Sequence, residues 1–369
     1  MMMWMIIMWV SMAMVAASIG YLASRVVCLL PADLLSSWGF WARISMYLGS
    51  VLALGAVLAV CIDIINAMIC LLYLALIWGA TDLVFGLLHK VFHISVAYPY
   101  IGLTAVLFAV TALSIGWYLN HHVVATYYQL TTQKEVAPFR VVMFADSHIG
   151  TTFDAAGFEK NMQMIQAQKP DAVFVVGDYV DDNTSREDMI KSTQALGRLN
   201  TKVYFVMGNH DKGYFRRRTF TKQELIDELQ KAGVTVLQDE VILADRGFYI
   251  IGRQDASVRQ ERIGQRLSMA ELTAPLDNTK YKIVLDHQPT DYAHQGVADL
   301  VLSGHTHGGQ LFPFNQVGKW IGANDLVYGH LHQGNTDFIV TSGLSSWGIR
   351  FKTGTKSEFV VIDVMPQKK

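Results

Sequence analysis

Cysteine is scarce, and its placement matters more than its number. The three cysteines are Cys28, Cys61 and Cys70, and residues 71–369 contain none. That excludes a disulfide framework and a thiolate zinc site from everything that follows Cys70, and it suits an oxidising compartment. Charge is the second scarcity. Residues 1–133 carry only Arg25, Asp33, Arg43, Asp63, Asp82 and Lys90, against 55 charges in the other 236 residues. A stretch that long with so few charges excludes water as its solvent and points to lipid. A large excess of either sign is also missing. A net charge of -1 and a mean hydropathy of +0.27 exclude a disordered chain and a protein that coats nucleic acid. No internal repeat or low-complexity linker interrupts the charged part, so its 236 residues read as one large globular domain.

What the first third does have is apolar runs of membrane-spanning length. Four can be read: Trp4–Ala23, Ile44–Ile62, Ile64–Leu88 and Tyr98–Leu119. Each is close to the roughly 20 residues that cross a hydrocarbon layer. Only Asp63 separates the second and third, so one long helix and three spans is an open alternative. Residues 29–43 read as an interfacial segment. Trp4, Trp9, Trp117, Tyr118, Tyr127 and Tyr128 suit aromatic belts, and His121 and His122 suit the headgroup layer. The first span has no basic leader and no small-residue cleavage site, which reads as an anchor and not a removable signal. Arg25, Arg43 and Lys90 place their loops in the cytoplasm by the positive-inside rule, so the domain after residue 120 lies outside. Asp63, Asn66, Asp82 and His89 are read as span-end residues in the headgroup region and not as an ion path. The expected organisation is an anchor over 1–120, a connector over 121–138 and a catalytic domain over 139–369.

From residue 139 on, short apolar runs alternate with amphipathic stretches. Strands are expected at Arg140–Ala145, Ala172–Val176, Val203–Met207, Val241–Leu243, Phe248–Ile251, Lys282–Leu285, Leu300–Leu302, Phe338–Thr341 and Phe359–Val364. Helices are expected at Ala155–Gln168, Arg186–Leu199, Lys222–Lys231 and Arg259–Arg266. That is an α/β pattern with a strand-rich second half, which fits two β layers covered by helices. Five of the strands end in polar clusters: Asp146-Ser147-His148, Gly177-Asp178-Tyr179-Val180-Asp181, Gly208-Asn209-His210-Asp211, Asp286-His287, and Gly304-His305-Thr306-His307-Gly308-Gly309. The carboxyl ends of strands in an open α/β sheet converge on one crevice. Oxygen and imidazole donors without thiolate suit Mn, Fe, Zn, Co or Mg. The donors exceed what one ion can use, whereas two ions a few Å apart would use them all. Such pairs clamp an in-line displacement at phosphorus and share an ionised water as nucleophile. Any one of these clusters alone is commonly a turn or a cap. Five together, each after a strand, leave little room for a purely structural role.

These motifs, DSH, GDYVD, GNHD, the lone His287 and GHTHGGQ, resemble the calcineurin-like metallophosphoesterases over about residues 139–364. SGLSSWGIR and Glu358 near the end, with several spans ahead of the domain, resemble the bacterial membrane-anchored branch. The resemblance implies a double β-sandwich flanked by helices, with a dinuclear centre. It implies that Asp146, His148 and His307 hold a first metal, that Asp178 bridges, and that Asn209, His287 and His305 complete a second. His210 would face the leaving group as general acid or transition-state donor, with Asp181 holding its imidazole. Ser147 and Asp286 depart from the family's usual residues without removing a ligand.

The implied function is hydrolysis of a phosphomonoester, phosphodiester or pyrophosphate at a bacterial membrane, with two divalent ions as cofactors. Closeness to the bilayer favours a lipid-linked substrate. The competing reading is a metal- or phosphate-sensing module without turnover, and a transporter regulated by the domain finds little support in the spans. Arg216, Arg217 and Arg218 could rim the crevice or form a solvated charge run. His294, His330 and His332 are read as outside the ligand set.

Overall fold

The computed structural model describes residues 2–29, 38–213, 218–260 and 265–367, without the side chains of 2–8 and 259–260. The chain divides into two compact units, Met1–Ile115 and Gly116–Lys369. Residues 30–37 of the expected interfacial segment, the Trp4 side chain and residues 261–264 of the expected helix at 259–266 lie outside the described residues; 40–43 belong to a helix, 257–260 form one helical turn, and 265–266 are not helical.

Among the described residues, four helices are long and apolar enough to cross a membrane: α1 (Met2–Leu29), α2 (Phe40–Cys61), α3 (Ile64–Phe92) and α4 (Tyr98–His121). The question of three or four spans turns on Asp63. Its φ of 125° breaks the helical path, and its carboxylate accepts the Asn66 N–H at 2.9 Å, capping the first turn of α3. An acidic N-cap satisfies a donor that lipid could not, so α2 and α3 are separate helices. Asp82 lies within α3, ion-paired to Arg25 Nε at 3.1 Å and accepting from the Tyr21 hydroxyl at 2.8 Å. Pairing between helices is how an apolar bundle tolerates such a charge.

The second unit begins within α4. The expected connector 121–138 contains a strand, β1 (Val124–Thr132). The other strands are β2 (Phe139–Phe144), β3 (Ala172–Val176), β4 (Lys202–Val206), β5 (Thr235–Leu237), β6 (Glu240–Leu243), β7 (Tyr249–Gly252), β8 (Lys282–Leu285), β9 (Leu300–Ser303), β10 (Gly329–Gln333), β11 (Thr336–Val340) and β12 (Glu358–Pro366). They form two six-stranded mixed sheets, ordered β1-β12-β2-β3-β4-β5 and β10-β11-β9-β8-β7-β6. β1 runs parallel to β12 in register from Val124 opposite Glu358 to Thr132 opposite Pro366. Tyr127 and Tyr128, expected in a membrane belt, therefore belong to a sheet.

The period-2 alternation of side chains builds the layers. Val141 and Met143 of β2 join Phe174, Val206, Ile283, Leu285 and Leu302 between the sheets, while Val142 and Phe144 face the other way. There they meet α5 (Ala155–Gln166), α6 (Arg186–Gly197) and α7 (Lys222–Lys231) through Phe158, Met189 and Leu225. The outer face of the second sheet is covered through Met269, Leu272 and Tyr292. Each fully buried side chain of this size contributes roughly 1.5–3 kcal/mol. The helices start where the sequence offers caps: Asp154, Ser185 and Thr221 each accept a first-turn N–H, and Thr221 with Glu224 forms a reciprocal capping box. The result is a helix–sheet–sheet–helix sandwich in which β2, β3, β4 and β5 run parallel in one sheet and β7, β8, β9 and β11 in the other, while the β1–β12 pair runs antiparallel to β2.

Candidate metal centre

β2, β3 and β4 of one sheet and β8 and β9 of the other each reach an Asp, Asn or His within three residues of their last residue. The ladder continues past the strands: Asp146 N–H donates to Gly177 O at 3.0 Å, and Gly304 N–H to His287 O at 2.9 Å. The turns after the strands then leave the extended region. Asp146, His148, Asp178, His305 and His307 all have φ between 37° and 71°. Left-handed backbone costs a residue with a Cβ roughly 1–3 kcal/mol and concentrates at functional sites. Two glycines let these turns meet. A Cβ on Gly208 would lie 2.2 Å from Asp178 Oδ1, and one on Gly304 would lie 2.5 Å from Asp146 Oδ2.

The turns gather two clusters of donors. Asp146, His148 and His307 offer ligand atoms within 4.8 Å of one another, and so do Asp178, His287 and His305. One carboxylate oxygen joins them, because Asp178 Oδ2 lies 3.8 Å from His148 Nε2 and 3.1 Å from His287 Nε2. Asn209 is buried on the β4 turn, beside His210, whose N–H donates to Asp178 Oδ1 at 2.8 Å. The His210 ring centroid is 5.1 Å from that of His148 and 5.0 Å from that of Trp347.

The chemistry of these atoms fits a cation. His287 Nδ1 faces Val176 O at 2.8 Å and His307 Nδ1 faces Ser345 O at 3.3 Å. A carbonyl only accepts, so each Nδ1 carries the proton and each Nε2 of a neutral ring carries a lone pair. Yet His287 Nε2 faces Asp178, and His307 Nε2 lies 3.7 Å from Asp146 Oδ1. Acceptors so placed repel unless a positive charge sits among them. The buried Nε2 atoms of His148 and His287 have no hydrogen-bond partner among the described residues. Carbonyl groups that fix the far nitrogen are how metal-binding imidazoles are held.

Electrostatics divide the donors: against burial, Asp178 raises His287 well above the usual imidazole value and Asp181 raises His148. Burial alone would raise the Asp178 carboxyl, but the surrounding imidazoles of His287, His148 and His210 hold it well below the carboxylate range. Burial, then the neighbouring His287, push His305 down to about 4. Burial also lowers His210 and His307. Asp146 goes the other way, raised to about 6 by burial and by Asp178.

Asp181 departs from its expected place. Its Oδ2 lies 3.4 Å from His148 Nδ1 and accepts from Thr151 Oγ1 at 3.1 Å, while Oδ1 accepts the Asn183 N–H at 2.7 Å. The family resemblance implied that it holds His210, but the turn after β3 aims it at the histidine of the β2 turn. Arg218 is also placed differently from a phosphate-binding rim. Its guanidinium donates to Asp211 O at 2.8 Å and to Phe220 O at 3.2 Å, tying the loop to itself, while Arg216 and Arg217 lie outside the described residues. His294 pairs with Asp291, and His330 and His332 share Asp337 Oδ1 at 2.7 and 2.8 Å, apart from both clusters. His121 bonds Trp117 O at 2.8 Å within α4, and His122 stacks on Tyr118.

Two supporting carboxylates went unassigned in the sequence. Asp211, the last residue of GNHD, is fully buried and accepts the N–H groups of Tyr179, Val180 and Gly208 at 2.9, 3.0 and 2.8 Å. It thereby fastens the β4 turn to the β3 turn, and its place in the motif was the available signal. Asp286 precedes His287 and accepts from Arg253 at 3.3 Å, from Gln295 at 2.5 Å and from Arg266, so an anchored carboxylate stands where the motif departs from the usual residue.

Comparison with known proteins follows the same lines. A metallophosphoesterase of Campylobacter jejuni is 29% identical over 235 residues, covering 62% of this chain and 60% of that protein. A transmembrane protein with metallophosphoesterase domain from Danio rerio is 29% identical over 237 residues, 60% of this chain and 52% of its own. The chain thus spans three fifths or less of those two relatives. Among solved structures, a protein of Thermus thermophilus aligns with a TM-score of 0.36 at 13% identity over 55% of this chain and 89% of its own. Residues 139–334, more than half of the chain, match the family described as calcineurin-like phosphoesterase. The chain belongs to the calcineurin-like phosphoesterase family.

Proposed function

We propose that this chain is a membrane-embedded, dinuclear metal-dependent phosphoesterase that hydrolyses a phosphomonoester, phosphodiester or pyrophosphate. The observation that carries the reading is the position of Asp178 Oδ2, within 3.8 Å of His148 Nε2 in one cluster and 3.1 Å of His287 Nε2 in the other. Asp146, His148 and His307 would hold one ion; Asn209, His287 and His305 the other; Asp178 would serve both. When bound, two divalent ions supply Lewis acidity toward the phosphoryl oxygens and an ionised water as nucleophile. The donor set suits Mn, Fe, Zn or Co.

The protein's own part is positioning and proton handling. Asp178 is held ionised, and His287 and His307 are held with Nε2 inward by carbonyls. Asp181 steadies His148. His210, fixed through its N–H to Asp178, presents its ring to the leaving-group oxygen and donates a hydrogen bond or a proton as the ester bond breaks. Trp347 flanks that ring.

The division proposed is an anchor over residues 1–120 and a catalytic domain over 139–369, with β1 binding the intervening segment into the sheet. Arg25, Arg43 and Lys90 support an extracytoplasmic domain, and the bacterial relatives support a bacterial membrane as the setting. A lipid-linked substrate is supported by the short link between α4 and β1. The test is the full chain in detergent micelles, stripped by chelator and reloaded with one metal at a time, assayed on a chromogenic phosphodiester. Turnover restored by Mn, Fe, Zn or Co and lost in Asp178→Asn is expected; two bound ions per chain without turnover would sink the reading. A reporter fused after Lys369 checks sidedness, and cytoplasmic activity there would reverse it.

A further inference from the structure

On the segment that follows His307 and on the one that carries Trp347, the fold leaves large apolar side chains uncovered. Phe312, Trp320 and Ile321 are 61%, 72% and 44% exposed, and Trp347, against His210, is 46% exposed. They lie on two segments, 308–324 after His307 and 344–356, which are stitched together. Thr353 N–H donates to Gln310 O at 2.9 Å, Gln310 Nε2 to Ile349 O at 2.6 Å, and Phe312 N–H to Thr353 Oγ1 at 3.0 Å. A single exposed apolar residue needs no explanation, whereas a group of them beside a functional cleft marks an interaction surface. Charge supports a choice of partner. The two segments contain Lys319, Arg350, Lys352 and Lys356 and no Asp or Glu, and Lys319 and Arg350 are exposed.

The second segment, with Ser357 just after it, is fastened to the end of a span. Lys352 N–H donates to Gly116 O at 2.9 Å, Ser357 N–H to Leu119 O at 2.8 Å, and Ser357 Oγ to Asn120 O at 2.7 Å. Gly116, Leu119 and Asn120 form the last turns of α4, where Trp117 and Tyr118 are exposed. Aromatic residues at the end of an apolar span sit at headgroup level, so Phe312 is tied, through Thr353 and Lys352, to backbone at that level.

We infer that Phe312, Trp320 and Ile321, with Lys319 and Arg350, dock on the headgroup layer of the anionic bilayer that α4 enters, so that the metal centre takes phosphate esters carried on lipid. The substrate half rests on the phosphoesterase reading; the docking half does not.

The test uses the full chain in nanodiscs of phosphatidylcholine and phosphatidylglycerol. A polarity-sensitive fluorophore is attached at Trp320→Cys, and in a second sample at Leu243→Cys, an exposed position on β6. Cys28, Cys61 and Cys70 are changed to serine in both. The label at 320 is expected to be quenched by spin-labelled lipid and shielded from aqueous iodide, and the label at 243 the reverse. Equal iodide quenching at the two positions overturns the docking. The variant Phe312→Gln/Trp320→Gln/Ile321→Gln is expected to keep its rate on a soluble chromogenic phosphodiester. On a phosphate ester carried by a disc lipid it should lose on the order of tenfold, as apolar anchors are removed. Equal loss on both esters, or none on either, overturns the substrate half. If the unaltered chain cleaves neither ester, the phosphoesterase reading fails, and the quenching result still decides the docking.

Discussion

Replacing Gly208 by alanine tests the convergence of the strand ends without touching a donor. The added Cβ would lie 2.2 Å from Asp178 Oδ1 and 2.3 Å from Asp178 N, distances that real Cβ atoms essentially never reach. Side-chain rotation can relieve only the first contact. The second lies on the backbone, so the turn after β3 or the turn after β4 must retreat by about 1.1 Å to restore ordinary spacing. That retreat stretches the bond from His210 N–H to Asp178 Oδ1, now 2.8 Å, and pulls the shared carboxylate away from His148 and His287. A misplacement of about 1 Å at a reacting centre costs on the order of a hundredfold in rate. The assay is kcat/KM on a chromogenic phosphodiester, with bound metal counted by mass spectrometry on the same sample. Gly296→Ala is the control, since its Cβ would meet nothing within 4 Å. Gly208→Ala within about threefold of the parent rate, with both ions retained, would refute the idea that this close approach positions Asp178.

His210→Ala should lower kcat by about 10²–10⁴ while both metals stay bound, which separates a proton or hydrogen-bond donor from a ligand; loss of an ion on mass spectrometry would contradict that role. Asp181→Asn should weaken one metal about 10–100-fold through His148, the imidazole it touches, and competition with a chelator reads this directly. Arg140 and Asp363 face each other across β2 and β12, with Nε to Oδ1 at 2.6 Å and Nη2 to Oδ2 at 2.8 Å. The hydrogen bonds and charge of Arg140 hold the Asp363 carboxyl below its usual value, with burial opposing. A depressed folded pKa gives stability that is full above the unfolded value and lost as pH falls through the folded one. Arg140→Gln should therefore cost about 1 kcal/mol near neutral pH, the guanidinium being partly exposed, and nothing near pH 2; equal loss at both pH values in thermal melts would rule the linkage out.

The sandwich was legible where strands are buried on both faces. Ala172–Val176 and Lys282–Leu285 coincide with β3 and β8 because continuous apolar runs ending in Gly or Asp admit few other readings. β1, β5 and β10 were not legible. β5 has three residues, and β10 is Gly-His-Leu-His-Gln, polar because it edges its sheet. β1 interleaves exposed and buried residues, and its tyrosines carry the same signal as a membrane belt. Pairing, not local preference, makes each strand: β1 and β5 with the distant β12 and β4, and β10 with β11 in a hairpin.

For the site, sequence supplied residue types and order but not aim. That every donor follows a strand could be read directly. Which donor faces which depends on turns that put Asp146, His148, Asp178, His305 and His307 in left-handed backbone, a conformation that no spacing rule announces. Asp181 shows the consequence: three residues after Asp178, it can reach either of two histidines, and the turn decides for His148. Asp211 shows the converse. A carboxylate at the end of a donor motif looks like a ligand, yet its oxygens are spent on three backbone N–H groups, and it works by holding the turns that carry the ligands. The division between donors that face inward and carboxylates that fasten the loops is set by where unsatisfied N–H groups fall once the strands end. Exchanging Asp211 for asparagine should therefore disturb the positions of Asp178 and Asn209 and the binding of both ions, even though Asp211 itself binds neither.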